Sequence, residues 1–302
     1  MCTHMVSFDL ILVQVLNGLT IGFSIALVAI GLSLVFGVME IVNFAHGEFY
    51  MAGAYGIFVL VPIVGNYWLA VALAAVVVAV IAIAVEQLTI RPLRGRDPHD
   101  ALIVTFGLVL ISQQLALELF GGRPKSLQGP VQGSVMLPGG NQFPLMRLVI
   151  IGGAALILVL TWVLLERTRI GIIIRASSQD VETARTLGVP ANKVYTFVFA
   201  LGALLAAVAA GFLGPIRGLS PGMSHNIILE VFIVIIVGGM GSIPGAVLAA
   251  VLIGLLQALS VLWLPAFASQ MSWPRYFTLP EVGRWAPIAV LPSVVFPQPD
   301  SP

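Results

Sequence analysis

Two long apolar runs are separated by Glu40-Ile41-Val42-Asn43-Phe44-Ala45-His46-Gly47-Glu48-Phe49-Tyr50, which sets an asparagine, a histidine and two glutamates within 11 residues. Ionisable side chains inside a membrane domain are costly, so by default they mark a pathway or a site. Two readings stand for this segment. Either Asn43, His46 and Glu48 lie within an apolar domain as polar stations, or the segment is an interfacial turn with Glu40 and Glu48 in water. Asn43 is placed to cap a helix beginning near Ala45, its side chain accepting an orphan N–H. A second interruption, Gly238-Gly239-Met240-Gly241-Ser242-Ile243-Pro244-Gly245, has glycines enough to break a helix. Pro244 suits the first turn of a new one. Broken backbone at membrane depth is tolerated only where it is buried in protein or lines a wet cavity.

Enzymatic constellations are scarce. No Gly-x4-Gly-Lys-Ser/Thr phosphate loop is present, so the chain does not hold ATP by that route. The four histidines (His4, His46, His99, His225) include no His-Glu-x-x-His pair, and the single Cys2 can build neither an internal disulfide nor a cysteine metal site. No catalytic residue, metal ligand or cofactor is assigned. A membrane-embedded enzyme and a passive channel stay open as competing classes.

The elements that position these residues follow from charge spacing. Of 302 residues 59% are hydrophobic and 9% charged, with 14 basic and 13 acidic side chains, a balance that argues against nucleic-acid binding. No charge falls between Asp9 and Glu40, Glu48 and Glu86, Lys193 and Arg217, or Glu230 and Arg275, gaps of 30, 37, 23 and 44 residues. A membrane-crossing helix needs about 20 mostly apolar residues. The shorter runs Ala101–Leu117 and Leu148–Leu165 suffice for one crossing each. The β-barrel alternation is absent. The chain is therefore expected to be all-α, a polytopic helical bundle in the lipid bilayer with about seven or eight apolar segments, some broken or re-entrant. Residues 1–10 lack the basic start of a signal peptide, so the first run is read as a retained span.

Two polar loops, Arg91–Asp100 and Glu166–Lys193, are separated by two apolar runs and so share a side, cytoplasmic by their excess of arginine. Residues 121–144 face the other side, although Arg123 and Lys125 run against the rule. Gly18 and Gly22, one turn apart, suit close helix packing. In the second loop Ser177 or Ser178 can cap a short helix, with Asp180 and Glu182 in its first turn and Gly188 with Pro190 ending it. Val181, Ala184 and Leu187 give that helix a narrow apolar stripe.

Four pieces together carry a resemblance: residues 31–51, Arg-Pro-Leu-Arg at 91–94, Arg-Ala-Ser-Ser-Gln-Asp at 175–180 with Leu-Gly-Val at 187–189, and Gly-Gly-Met-Gly-Ser-Ile-Pro-Gly-Ala at 238–246. In this order they resemble the permease subunits of bacterial branched-chain amino-acid ABC importers, the LivH type. The resemblance implies a multi-pass protein of the bacterial inner membrane that holds no cofactor itself, ATP being bound by partner subunits. A second related permease would complete a heterodimeric pore, and a soluble binding protein would deliver substrate. It implies a translocation path near Asn43, His46, Glu48, Gly239, Gly241, Ser242 and Pro244. Coupling to the ATPase would run through Arg175, Ala176, Asp180, Val181, Ala184, Leu187 and Gly188, with the apolar stripe in the partner's groove. Related permeases move urea or short amides, the alternative substrate class. The importer domain would occupy residues 1–270. After it, residues 271–302 depart from the family: seven of the chain's 19 prolines fall in the last 29 residues, where a final helix is expected. A replaced span or a shifted reading frame near residue 270 accounts for that tail, the frame shift being favoured.

Overall fold

The computed structural model describes residues 8–137 and 140–263; the proline-rich stretch 271–302 lies outside them. In chain order the helices are α1 (Phe8–Met39), α2 (His46–Val64), α3 (Tyr67–Val85), α4 (Pro98–Phe120), α5 (Leu145–Arg167), α6 (Arg169–Gln179), α7 (Val181–Thr186), α8 (Ala191–Arg217), α9 (Met223–Gly238) and α10 (Ile243–Trp263). One turn of π-helix, Glu86–Ile90, extends α3, and a short hairpin, β1 (Ser134–Met136) with β2 (Gln142–Pro144), precedes α5. Seven of the described helices are long and apolar enough to cross a membrane, and α9 is a shorter apolar helix. The chain is a polytopic helical membrane protein, as the charge gaps predict.

α1 is the axis of the bundle. Its 32 residues contain one charge, Asp9, and its central stretch is buried on all faces. A helix apolar all round belongs in an interior, and α1 packs against α5, α8, α9 and α10. Its own hydroxyls cause no penalty there, because Thr20 and Ser24 donate back to the carbonyls of Leu16 and Thr20, each at 2.8 Å. The approach to α10 is backbone to backbone. A Cβ on Gly18 would stand 2.8 Å from Leu255 Cα, and one on Gly22 would stand 2.8 Å from Val251 Cα. The two helices are antiparallel, since Gly37 near the other end of α1 meets Gly241. Gly31 meets Gly202 of α8 in the same manner.

The two polar loops do share one end. Arg94 pairs with Glu86 and donates to Asn192 Oδ1 at 3.0 Å, and its guanidinium lies 4.3 Å from the centre of the Tyr195 ring. Thr196 Oγ1 donates to the other oxygen of the fully buried Glu86 at 2.7 Å. This cluster ties the end of α3 to the start of α8. At the opposite end, residues 121–144 meet the α8–α9 loop through paired backbone bonds between Lys125 and Leu219, at 2.9 and 2.8 Å.

Replacing Gly254 with valine tests the close contact, because a Cβ there would come within 2.6 Å of Gly18 O. Over-packing of this kind costs about 1–3 kcal/mol. The expected outcome is a lowered midpoint of thermal unfolding in detergent. Gly107→Ala, whose Cβ would meet nothing within 4 Å, should leave that midpoint unchanged.

Candidate functional site

The site begins where α1 ends. Glu40 adopts φ +55°, and among the described residues it is the one non-glycine with positive φ, a conformation that L side chains avoid. From there residues 40–45 turn back into the bundle. His46 Nε2 lies 3.2 Å from the carbonyl of Val28, which sits 11 residues before Met39, or about 16 Å along the axis of α1. Asn43, His46 and Glu48 are only 1%, 1% and 5% exposed, whereas Glu40 is in contact with solvent. The interfacial-turn reading, which put Glu48 as well as Glu40 in water, therefore fails at Glu48.

Asn43 does not cap α2. The cap residue is Ala45, with no side-chain bond, and the backbone carbonyls of Asn43 and Ala45 accept from the N–H groups of His46 and Glu48 at 3.3 and 3.0 Å. Asn43 sits two residues ahead of the cap position, from which a side chain reaches the second or third helical N–H. Both polar atoms of its side chain are instead buried without a partner.

Glu48 joins three elements. Its Oε1 accepts from Gln113 Nε2 of α4 at 3.5 Å, and the same nitrogen donates to Ser224 Oγ of α9 at 3.2 Å. Glu48 Oε2 and Tyr50 Oη are buried and unpartnered, like the Asn43 amide. Burying polar atoms without hydrogen bonds is expensive, and four such atoms fall within residues 43–50. Sequence reasoning missed Gln113 and Ser224. The polar pair Gln113-Gln114 inside an apolar run was the available signal for the first.

The second interruption lies elsewhere. Gly239 and Gly241 take φ +90° and +85°, and α10 restarts at Ile243 with Pro244 in its first turn. Ser242 is the cap: its Oγ accepts from Gly245 N–H at 3.2 Å. Gly241, Ser242 and Pro244 line a cavity of about 290 Å³ with Ser33 and Gly37 of α1 and Arg175 of α6. Thus the predicted path residues divide into a buried group around Glu48 and a group at the basic end, beside the predicted coupling segment.

That segment folds as two helices rather than one. Thr168 caps α6, accepting from Gly171 N–H at 3.2 Å. Gly171 is required at this corner, as a Cβ would fall 2.0 Å from Leu165 O. The cap of α7 is Asp180, which accepts from the N–H groups of Glu182 and Thr183 at 3.0 and 2.9 Å. Ser177 and Ser178 do not cap it, because both lie inside α6, Ser177 buried and Ser178 donating to Arg175 O. Gly188, at φ +86°, closes α7 as expected, with Val189 N–H to Ala184 O and Gly188 N–H to Arg185 O. The stripe is split: Ala184 is 3% exposed and faces its own domain, whereas Leu187 is 81% exposed. Ala184 therefore cannot enter a partner's groove. Arg175 binds the carbonyl of Leu165 and, at 3.0 Å, the carboxylate of Glu166, fixing the end of α5. Ala176, Asp180 and Gly188 are exposed.

Among the described residues no three His, Cys, Asp or Glu side chains converge as metal ligands would. Gly218-Leu219-Ser220-Pro221-Gly222 has the spacing of a hydrolase nucleophile elbow, a match that sequence reasoning missed. It joins helix to helix, however, where the elbow requires a strand before the serine.

Residues 14–279 match the family described as "Branched-chain amino acid transport system / permease component". The chain is 31% identical over 259 residues to the high-affinity branched-chain amino acid transport system permease protein BraD of Pseudomonas aeruginosa, covering 81% of this chain and 84% of that protein. It is 32% identical over 265 residues to the corresponding LivH protein of Escherichia coli, covering 83% and 86%. A probable LivH of Methanocaldococcus jannaschii is 28% identical over 250 residues, covering 80% and 78%. No solved structure matches.

Ala184→Asp should unfold α7 locally, since it buries an unpaired carboxylate, whereas Leu187→Asp should leave the helix as protected as in the parent chain. Hydrogen exchange over residues 181–187 reads both. The Thr183 side chain, then its backbone N–H, hold the Asp180 carboxyl below the usual range. Its folded value being depressed, the cap is in force above the ordinary aspartate pKa of about 3.9 and is lost as the pH falls below it. Protection of α7 should follow that profile, and Asp180→Asn should abolish the pH dependence.

Proposed function

Since this chain belongs to the family of branched-chain amino acid transport permease components, we propose that it is the membrane-spanning subunit of an ATP-driven importer and contributes the translocation path for branched-chain amino acids. Separate subunits bind and hydrolyse ATP, a second related permease completes the pore, and a soluble binding protein delivers substrate at the face opposite the basic loops. The protein resides in the bacterial inner membrane with those loops in the cytoplasm.

The observation that carries this reading is the re-entrant segment with Glu48 at its end. A zwitterionic amino acid leaving water must exchange hydration for protein groups. The free oxygen of Glu48 accepts from its ammonium group, and the unpartnered Asn43 amide and Tyr50 hydroxyl supply further polar contacts. Urea has no cation to match a buried carboxylate, which favours the amino-acid branch. At the cytoplasmic end, exposed Leu187 on a helix fixed by Asp180 and Gly188 gives the ATPase an apolar point of engagement. Beside it, Ser242 and Pro244 share a cavity with Arg175, so a push on α6 reaches the α9–α10 break without crossing the bundle.

The test is uptake of labelled leucine by cells that lack their own leucine importer and express this chain with its ATPase, second permease and binding protein. Uptake should depend on ATP and be blocked by unlabelled leucine but not by urea. Glu48→Gln should raise KM about 10- to 100-fold, the worth of one hydrogen bond to a charged group. Leu187→Asp should abolish uptake while the chain remains in the membrane. Block by urea alone would move the chain to the urea and amide branch.

A further inference from the structure

The ion pair between Glu86 and Arg94 leaves neighbouring cations unmatched. Between the end of α3 and the start of α8 lies a cavity of about 700 Å³, lined by Arg91 from one polar loop and by Arg185 and Lys193 from the other. Among the described residues no carboxylate lies within ion-pair distance of any of the three. Glu86, next to the cavity residue Gln87, is already committed to Arg94 and to Thr196. Asn192, also on the wall, spends its Oδ1 on Arg94 and so turns only donor capacity to the space. α8 begins here at Ala191, and the positive end of its dipole adds to the same potential. An excess of basic residues on one side is the rule for membrane proteins, but that rule does not gather them around one cavity.

The cavity has an apolar lining as well. Ile83, Phe197 and Ala200 line it, and Phe197 is 39% exposed. Ala200 is nine residues into α8, about 14 Å along the axis toward the middle of the membrane-crossing stretch 191–217, whereas Lys193 lies at the end of that stretch and Arg91 at the end of the stretch 67–93. The cavity therefore joins a cationic floor at the membrane boundary to an apolar wall within the bilayer. A soluble anion would use the floor alone, and a protein approaching from the aqueous phase would not reach Ala200. A molecule with a phosphate and an acyl chain uses both.

We propose that this cavity is a binding site for an anionic phospholipid, with the headgroup phosphate held by Arg91, Arg185 and Lys193 and an acyl chain lying along Ile83, Phe197 and Ala200. Basic pockets between membrane helices on the cytoplasmic side suit such headgroups. The site is independent of the transported substrate and of Glu48.

The experiment is native mass spectrometry of the full chain released from neutral detergent carrying phosphatidylglycerol or phosphatidylcholine. The parent chain should retain phosphatidylglycerol about 100-fold more than phosphatidylcholine. The combined substitution Arg91→Gln, Arg185→Gln and Lys193→Gln should reduce that to parity, and Lys193→Gln alone should lower it by about fivefold. Phe197→Ser, which removes apolar lining and adds no charge, should weaken phosphatidylglycerol retention while the three cations stay in place. Retention of phosphatidylglycerol by the triple variant at the parent level overturns the proposal. So does full displacement of the lipid by millimolar inorganic phosphate, which would assign the floor to a free anion. Loss of ATPase association in the triple variant with unaltered lipid retention overturns it as well, in favour of a protein surface.

Discussion

Where Gly18 and Gly22 meet α10, and where Gly31 meets Gly202, helix backbones touch with no side chain between them. This closeness is the condition on which the deeper architecture rests. Lipid tails are as apolar as leucine, so helices gain little by merely hiding apolar surface from lipid, and packing density must hold them together. α1 achieves that density on two sides at once. It thereby creates a protein interior thick enough to shelter backbone that is not helical, which the lipid-exposed surface could not tolerate.

Only the α1–α2 break draws on that shelter, the α9–α10 break lying half-exposed at the basic end, and the two manage their loose ends differently. The α9–α10 break is self-contained: glycines take the positive φ values and Ser242 caps the new helix. The α1–α2 break is not. It forces Glu40 into a left-handed conformation and leaves the Asn43 amide, one Glu48 oxygen and the Tyr50 hydroxyl without partners in the interior. A break that keeps such costs unrelieved inside an otherwise well-packed bundle is consistent with polar cargo rather than with packing alone.

Much of this was legible in the sequence, for physical reasons. Charges are excluded from the bilayer, so their gaps trace the spans, and the glycines and proline at 238–245 break a helix wherever they stand. The sharing of one end by the two basic loops follows from counting crossings. Finer assignments failed where a neighbour one or two residues away could do the same job. Asn43 and Ala45 are both near the start of α2, and Ser177, Ser178 and Asp180 all resemble caps; the path of the chain chose between them. The link from Glu48 to Gln113 spans 65 residues and that from Gln113 to Ser224 spans 111. Such pairings belong to tertiary structure, and no local pattern announces them. Nor does helical spacing tell which member of a stripe faces inward, and so Ala184 and Leu187 parted company.

One feature of the bundle bears on how the Glu48 environment behaves in time. α4 supplies Gln113, yet it is the least embedded of the seven crossing helices, with 17% of its apolar window buried within the chain. Elements with few interior contacts open at a small fraction of the free energy of global unfolding. Glu48 is thus held by α2 on one side and, on the other, by a donor whose helix its own chain covers only slightly. What packs against α4 from outside the chain therefore helps to fix the hydrogen-bond field at the centre of the bundle.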